Sequence, residues 1–142
     1  MQVDKYREDD FYGLKCLIDE NYGTNVSKKV IEEAYNKGKR FILVAHYNGS
    51  VVGTAFIEKR EDYIRLRSSF FVSYVAVDKR YRRKGIGKEL FKTIEKKARD
   101  ENIHIIELTS ADYREDAHLF YENIGFTKKK TTVYINDTFA ND

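Results

Sequence analysis

Ser73-Tyr74-Val75-Ala76-Val77-Asp78-Lys79-Arg80-Tyr81-Arg82-Arg83-Lys84-Gly85-Ile86-Gly87-Lys88-Glu89-Leu90-Phe91 reads as the end of a strand, a cation-rich turn and the start of a helix. The strand is expected over 70–77. Simple alternation puts Phe70, Val72, Tyr74 and Ala76 on one face and Phe71, Val75 and Val77 on the other. Both faces are largely apolar, so the strand belongs inside a sheet. Downstream, Ile86, Leu90, Phe91, Ile94 and Ala98 recur at helical spacing and predict a helix starting near Gly85. Lys79, Arg80, Arg82, Arg83 and Lys84 crowd the turn, and Lys88 follows in the first helical turn.

The start of a helix leaves backbone N–H groups without partners and carries positive partial charge. Glycines there admit φ > 0 and let a ligand approach the backbone. With arginine and lysine beside it, such a turn suits a phosphate or pyrophosphate. The plainer alternative is a solvated basic turn before an ordinary helix. Two common phosphate loops are excluded. A Walker loop needs Gly-Lys followed by Ser or Thr, but Glu89 follows Gly87-Lys88, and Arg82 stands where the upstream glycine is required. A dinucleotide fingerprint needs a third glycine where Leu90 stands.

What remains is R-x-x-G-x-G, written Arg82-Arg83-Lys84-Gly85-Ile86-Gly87, directly after the Val75-Ala76-Val77 strand. This resembles the coenzyme A pyrophosphate loop of the GNAT superfamily of acetyl-CoA-dependent N-acyltransferases. A second segment, Ala117-His118-Leu119-Phe120-Tyr121-Glu122-Asn123-Ile124-Gly125-Phe126, resembles the family's A-x-x-F-Y-x-x-x-G-F. Arg114, three residues before Ala117, and His118 match a subset of the family; many members have asparagine where Arg114 stands. An amphipathic helix closed by glycine would explain Ala117, Phe120 and Gly125 without any cofactor.

Length and composition bound the rest. The 142 residues suit a single domain, 1–142, with residues 136–142 as a frayed tail. The hydrophobic fraction of 42% is enough for a packed interior. A net charge of +3 is too mild to argue for nucleic acid. The lone Cys16 excludes an internal disulfide and offers no metal cluster; it is expected as a buried structural thiol. With no signal peptide and no long apolar run, the expectation is a soluble cytoplasmic protein without membrane contact.

In chain order, a short strand is expected over 1–6, then a helix carrying Phe11, Leu14, Leu17 and Ile18, capped by Asp9 or Asp10. Ser27 can cap a second helix carrying Val30, Ile31, Ala34 and Tyr35, with Gly38 as its stop. Asn48-Gly49 signals a hairpin between strands over 40–46 and 51–59, with Gly53 at a bulge. After the central helix, a strand over 103–108 implies parallel pairing through a right-handed crossover. Segments 126–130 and 132–135 read as closing strands, with Lys128, Lys129 and Lys130 as a solvated edge. The fold class is α+β: a GNAT-like mixed sheet of about six to seven strands with helices on both faces. The resemblance implies that its central parallel pair splays apart.

The resemblance also implies the roles. Backbone groups of Val75, Ala76 and Val77 would hold the pantetheine arm, and one N–H would polarise the thioester carbonyl. Arg82, Arg83, Lys84, Gly85, Ile86, Gly87 and Lys88 would hold the pyrophosphate, with Arg114 and Tyr121 also against the cofactor. The expected reaction is transfer of an acetyl group from acetyl-CoA to a primary amine by direct attack, through a tetrahedral intermediate. An alkylamine has a pKa near ~10.4, so its neutral form at pH 7 costs about 4–5 kcal/mol. A base or water chain must take the proton, and the leaving thiolate needs a donor. Tyr121 is the candidate donor, being protonated at neutral pH; a packing role is its alternative.

Some relatives place a base on the central strand, but residues 68–74 contain no carboxylate. Glu58, Glu107, Asp112 and Glu115 remain by reach alone, each with a surface role as the alternative. His118 could meet the cofactor or sit half-buried and hydrogen-bonded; His46 and His104 form no metal motif. Tyr22, Glu58, Tyr74 and Asp112 are candidate substrate residues, Tyr74 equally a core residue. Acidic side chains near the acceptor segments (Glu20, Glu58, Glu61, Asp62) suit a small cationic amine, with a peptide or protein amine as alternative. The expected cosubstrate is acetyl-CoA, with no metal and no nucleic acid. A homodimer is compatible with the fold. The rival classes are a non-catalytic acetyl-CoA-binding regulatory module and a small nucleic-acid binder.

Overall fold

Asn48 and Gly49 take φ of 50° and 80° and turn β2 (Arg40–Tyr47) into β3 (Ser50–Asp62), as their sequence predicts. A computed structural model describes residues 1–140. It groups Met1–Thr109 into one unit and the chain from Ser110 into a second. The first unit is built on a sheet in the order β1-β2-β3-β4-β5, with β1 at Gln2–Lys5, β4 at Arg67–Val77 and β5 at Ile105–Leu108. Neighbours are antiparallel except β4 and β5, which are parallel.

Two helical layers cover the sheet. On one face α1 (Phe11–Tyr22) buries Phe11, Leu14, Leu17 and Ile18. Phe11, Leu14 and Ile18 share a core with Ile31, Ile42, Val44 and Phe56. Burying such side chains contributes roughly 1.5–3 kcal/mol each. Cys16 lies between these positions and is exposed, which corrects the expectation of a buried thiol. Gly23, at φ 64°, closes the helix. Ser27 caps α2 (Lys28–Val30) by accepting the Val30 N–H, and the helix widens into π geometry over Ile31–Tyr35, ending before Gly38.

α3 (Ile86–Asp100) packs on the other face and buries its predicted stripe of Ile86, Leu90, Phe91, Ile94 and Ala98. The helix lies very close to β3. A Cβ on Gly53 would come within 2.7 Å of Ile86 Cγ2, so only glycine fits there. A register shift beside Gly53 confirms a bulge: Ala45 faces Gly53 while His46 faces Val51, leaving Val52 between them.

The second unit contains α4 (Glu115–Asn123), followed by Gly125 at φ 104°. Five strands are present among the described residues, fewer than expected. Residues 126–135 form no strand, and Val133, Tyr134 and Ile135 are exposed. β-branched and aromatic residues favour a pleated, half-buried surface, but without a ladder partner that preference produces no strand. The tail expected over 136–142 turns at 138–140, and its last two residues lie outside the described part.

Candidate active site

The central strand changes its pattern at Tyr74. Phe56 pairs with Ser73 and Thr54 with Ala76, so Ala55 alone faces both Tyr74 and Val75. Tyr74 absorbs the extra residue at φ 49°, in the left-handed region, at a cost of about 1–2 kcal/mol. Every later side chain then changes sides. Ala76 pairs beside Thr54 on the α1 face, whereas Val72 pairs with Ile57 on the α3 face. The single apolar face of Phe70, Val72, Tyr74 and Ala76 expected from alternation is therefore broken in two.

The bulge turns Tyr74 toward α1. Its ring lies 5.0 Å from Tyr22, 5.4 Å from Phe56 and 6.3 Å from Tyr35. The sequence places Tyr35 on a helix face but gives neither it nor Phe56 a place in the site; no local spacing links residues from a helix and two strands. The Tyr22 hydroxyl donates to the Val75 carbonyl at 2.9 Å. Here β4 also leaves its parallel neighbour. The last pair is Val72 with Leu108, yet β4 runs on to Val77. On the β5 side, residues 73–77 have no strand partner among the described residues, an edge that an extended ligand arm can join.

β4 leads into the cation-rich turn before α3. Asp78 accepts from the Arg80 backbone N–H and pairs with the Arg80 guanidinium at 2.8 Å, which holds its carboxyl below the usual range. The turn Lys79–Tyr81 follows. Lys84 lies near Tyr47 and Tyr81, 5.5 and 5.9 Å from their ring centroids. Arg83 and Gly85 adopt φ of 64° and 77°, wrapping the chain around Lys84. Gly85 is the N-cap and has no side chain to accept from the helix. The first N–H groups of α3, on Ile86, Gly87 and Lys88, therefore lack intrahelical acceptors. Arg82, Arg83, Lys84 and Lys88 are exposed around them, while Ile86 is buried and anchors the helix start.

The family model of the Acetyltransferase (GNAT) family matches residues 5–126. The chain belongs to the GNAT acetyltransferase family. No curated protein sequence matches it. Solved structures share the GNAT architecture at low identity. An acetyltransferase from Trypanosoma brucei is 21% identical with a TM-score of 0.81, over 95% of this chain and 98% of that one. An aminoglycoside acetyltransferase from an uncultured soil metagenomic sample is 18% identical with a TM-score of 0.83, over 95% and 93%. A ribosomal-protein-alanine N-acetyltransferase from Brucella melitensis biovar Abortus 2308 is 18% identical with a TM-score of 0.81, over 96% and 99%.

Within this GNAT chain, the candidate residues divide. Tyr22, Tyr74 and Val75 meet directly. Glu58 is committed elsewhere: Arg40 Nε donates to Oε2 and Arg60 Nε to Oε1, each at 2.9 Å. The Arg60 bond, then the Arg40 bond, holds its carboxyl below the usual range, which makes it a weak base. Glu58→Gln should therefore keep kcat within about threefold at neutral pH, far less than the 10²–10⁴ expected for loss of a general base. Steady-state rates at saturating amine check this; a hundredfold fall would restore Glu58 as the base.

In the second unit, Asp112 and Arg114 are exposed, and the Arg114 carbonyl accepts the His118 N–H at 3.1 Å. His118 Nε2 donates to the Ala111 carbonyl at 2.9 Å, the hydrogen-bonded, half-buried role that was one of its two readings. The Tyr121 ring packs 5.4 Å from Phe120 and 5.9 Å from Phe126. Among the described residues no group of three His, Cys, Asp or Glu could hold a metal, and no helix is long and apolar enough to cross a membrane.

Proposed function

We propose that this GNAT protein is an acetyl-CoA-dependent N-acetyltransferase acting on a small cationic amine. The observation that carries the reading is the course of β4: it parts from β5 after Val72 and leads into a glycine-capped helix start ringed by cations. Val75, Ala76 and Val77 offer backbone groups to the pantetheine arm, and an N–H of this segment polarises the thioester carbonyl. The N–H groups of Ile86, Gly87 and Lys88, with Arg82, Arg83 and Lys84, take the pyrophosphate. When bound, acetyl-CoA supplies an activated acyl group. The amine nitrogen attacks the carbonyl carbon, the tetrahedral intermediate collapses, and the C–S bond breaks. Tyr121 donates a proton to the departing sulfur. Glu58 is held by two arginines and residues 68–74 hold no carboxylate, so in this reading the ammonium proton goes to water, with Glu107, Asp112 and Glu115 as the alternatives by reach.

The exposed Tyr74 ring, with Tyr22 5.0 Å beside it, supports a cationic acceptor, since ring faces attract ammonium groups. The fold-level likeness to an aminoglycoside acetyltransferase points the same way, and the likeness to a ribosomal-protein-alanine enzyme places peptides in the comparison set. Thermal unfolding with and without acetyl-CoA tests the donor, and thiol release with aminoglycosides, polyamines and peptides tests the acceptor. The expected result is a saturable rise in Tm, equivalent to about 2.7 kcal/mol at a hundredfold excess over Kd, and turnover of small amines. No stabilisation would overturn the donor assignment. Stabilisation without thiol release would make the protein a binding module, and release confined to peptides would overturn the acceptor class.

A further inference from the structure

A second concentration of positive charge lies at the other end of α3. A cavity of about 340 Å³ opens where β1 ends, β2 begins and α3 finishes. Lys5, Lys37, Lys39, Arg40, Lys59 and Lys97 line it, against Glu101. The whole chain has an excess of only three positive charges, so this recess is far from a random sample of the surface. α3 spans 15 residues, about 22 Å, which separates this recess from the Gly85 turn.

The floor is packed, and the charges above it are only partly neutralised. Phe41 packs edge-on against the fully buried Phe70 at 5.6 Å. The Lys5 and Lys97 ammonium groups both stand over the Phe41 ring, 5.5 and 4.9 Å from its centroid. Their mutual repulsion is the first cause that lowers the Lys5 pKa. Lys97 has a carboxylate partner, Glu101 at 3.0 Å, Arg40 is paired with Glu58 at 2.9 Å, and Glu61 lies 3.5 Å from Lys39 and 3.9 Å from Lys59, which leaves Lys5 and Lys37 without an ion pair among the described residues. These carboxylates are partly exposed, and such pairs contribute little to stability. Two like charges held over one ring destabilise the empty protein. A multivalent anion placed between them removes that repulsion and gains charge-assisted hydrogen bonds.

We propose that this cavity binds a small multivalent anion of the phosphate class, a phosphate ester or a pyrophosphate. Lysines present mobile point charges with three donors each, which suit tetrahedral phosphate oxygens rather than a planar carboxylate. The volume falls in the range of small-molecule sites, larger than a single ion needs. The Lys59 N–H donates to the Lys39 carbonyl at 2.8 Å and ties the two strands that form the rim.

The probe is tripolyphosphate, titrated calorimetrically at constant ionic strength into three proteins: wild type, Lys5→Met/Lys97→Met and Arg82→Gln/Arg83→Gln. Methionine keeps the aliphatic stems over Phe41 and removes the charges. The expected result is saturable binding that persists in the Arg82/Arg83 variant and weakens at least about thirtyfold in the Lys5/Lys97 variant. Binding equal to wild type in the lysine variant would overturn the proposal. So would binding that disappears only in the arginine variant, which would place the anion at the Gly85 turn. A poly-glutamate peptide that binds where tripolyphosphate does not would also overturn it, in favour of an acidic protein partner. Should the double variant fail to fold, Lys5→Gln on the edge strand gives the same comparison. Acetyl-CoA stabilisation measured on the same samples separates failure here from failure of the acetyltransferase reading.

Discussion

Gly85→Val should raise the KM for acetyl-CoA about a hundredfold or more, because charge-assisted hydrogen bonds contribute roughly 1.5–3 kcal/mol each and several depend on this residue. Gly85 sits at φ 77°, a conformation that a β-branched residue avoids. Valine would pull the turn toward negative φ and swing the N–H groups of Ile86, Gly87 and Lys88 away from a common point. The added side chain itself meets no obstacle, since nothing lies within 4 Å of a Cβ built there. The effect is therefore conformational, and Gly85→Ala should reproduce a smaller part of it. The buried Ile86 keeps the helix start anchored on β3, so the fold should survive with a strain loss of about 1–2 kcal/mol. Initial rates against acetyl-CoA concentration, with urea unfolding alongside, check both parts. An unchanged KM would remove the α3 start from the cofactor site.

The same residue shows why this part of the molecule was legible in the sequence. A glycine-capped helix start is a local object: strand, turn and helix follow one another within 73–91, and their chemistry follows from backbone dihedrals and neighbouring cations. The buried stripe of α3 and the Asn48-Gly49 hairpin are local in the same sense. Tyr74 is the opposite case. Its neighbours alternate as an ordinary strand should, and only the pairing with β3 reveals that Ala55 faces two residues. A one-residue slip moves every later side chain to the other face, so the error in reading Tyr74 carried through to Ala76. Glu58 falls between these cases. Arg60, two residues on, shares its strand face and was a readable signal for a paired carboxylate. Arg40 required the β2–β3 register, where it lies directly opposite Glu58.

The closing strands failed for a related reason. Val133, Tyr134 and Ile135 have strong strand preference, but preference describes how a side chain fits a surface, not whether a surface is there. Cys16 failed because one helix stripe was read too widely. Phe11, Leu14, Leu17 and Ile18 already define the buried side of α1, and Cys16 falls outside their arc. Both errors come from treating composition as burial.

Tyr121→Phe should lower kcat about a hundredfold while leaving the KM for acetyl-CoA within a factor of about three, the lower end of what general acid catalysis contributes. The substitution removes one oxygen and keeps the ring that packs against Phe120 and Phe126, so α4 should remain in place. The backbone carbonyl of Tyr121, which accepts the Phe126 N–H at 2.9 Å, is untouched. A packing role predicts the reverse pattern: unchanged kcat, because phenylalanine packs as well as tyrosine. The two readings also differ by leaving group. If the hydroxyl protonates the departing sulfur, an acyl donor with a more acidic thiol needs less help and should recover much of the lost rate in the variant. A packing residue gives no such dependence on thiol acidity. Full turnover in Tyr121→Phe with acetyl-CoA would assign the thiolate proton to another group and leave Tyr121 as a packing residue beside Phe120 and Phe126.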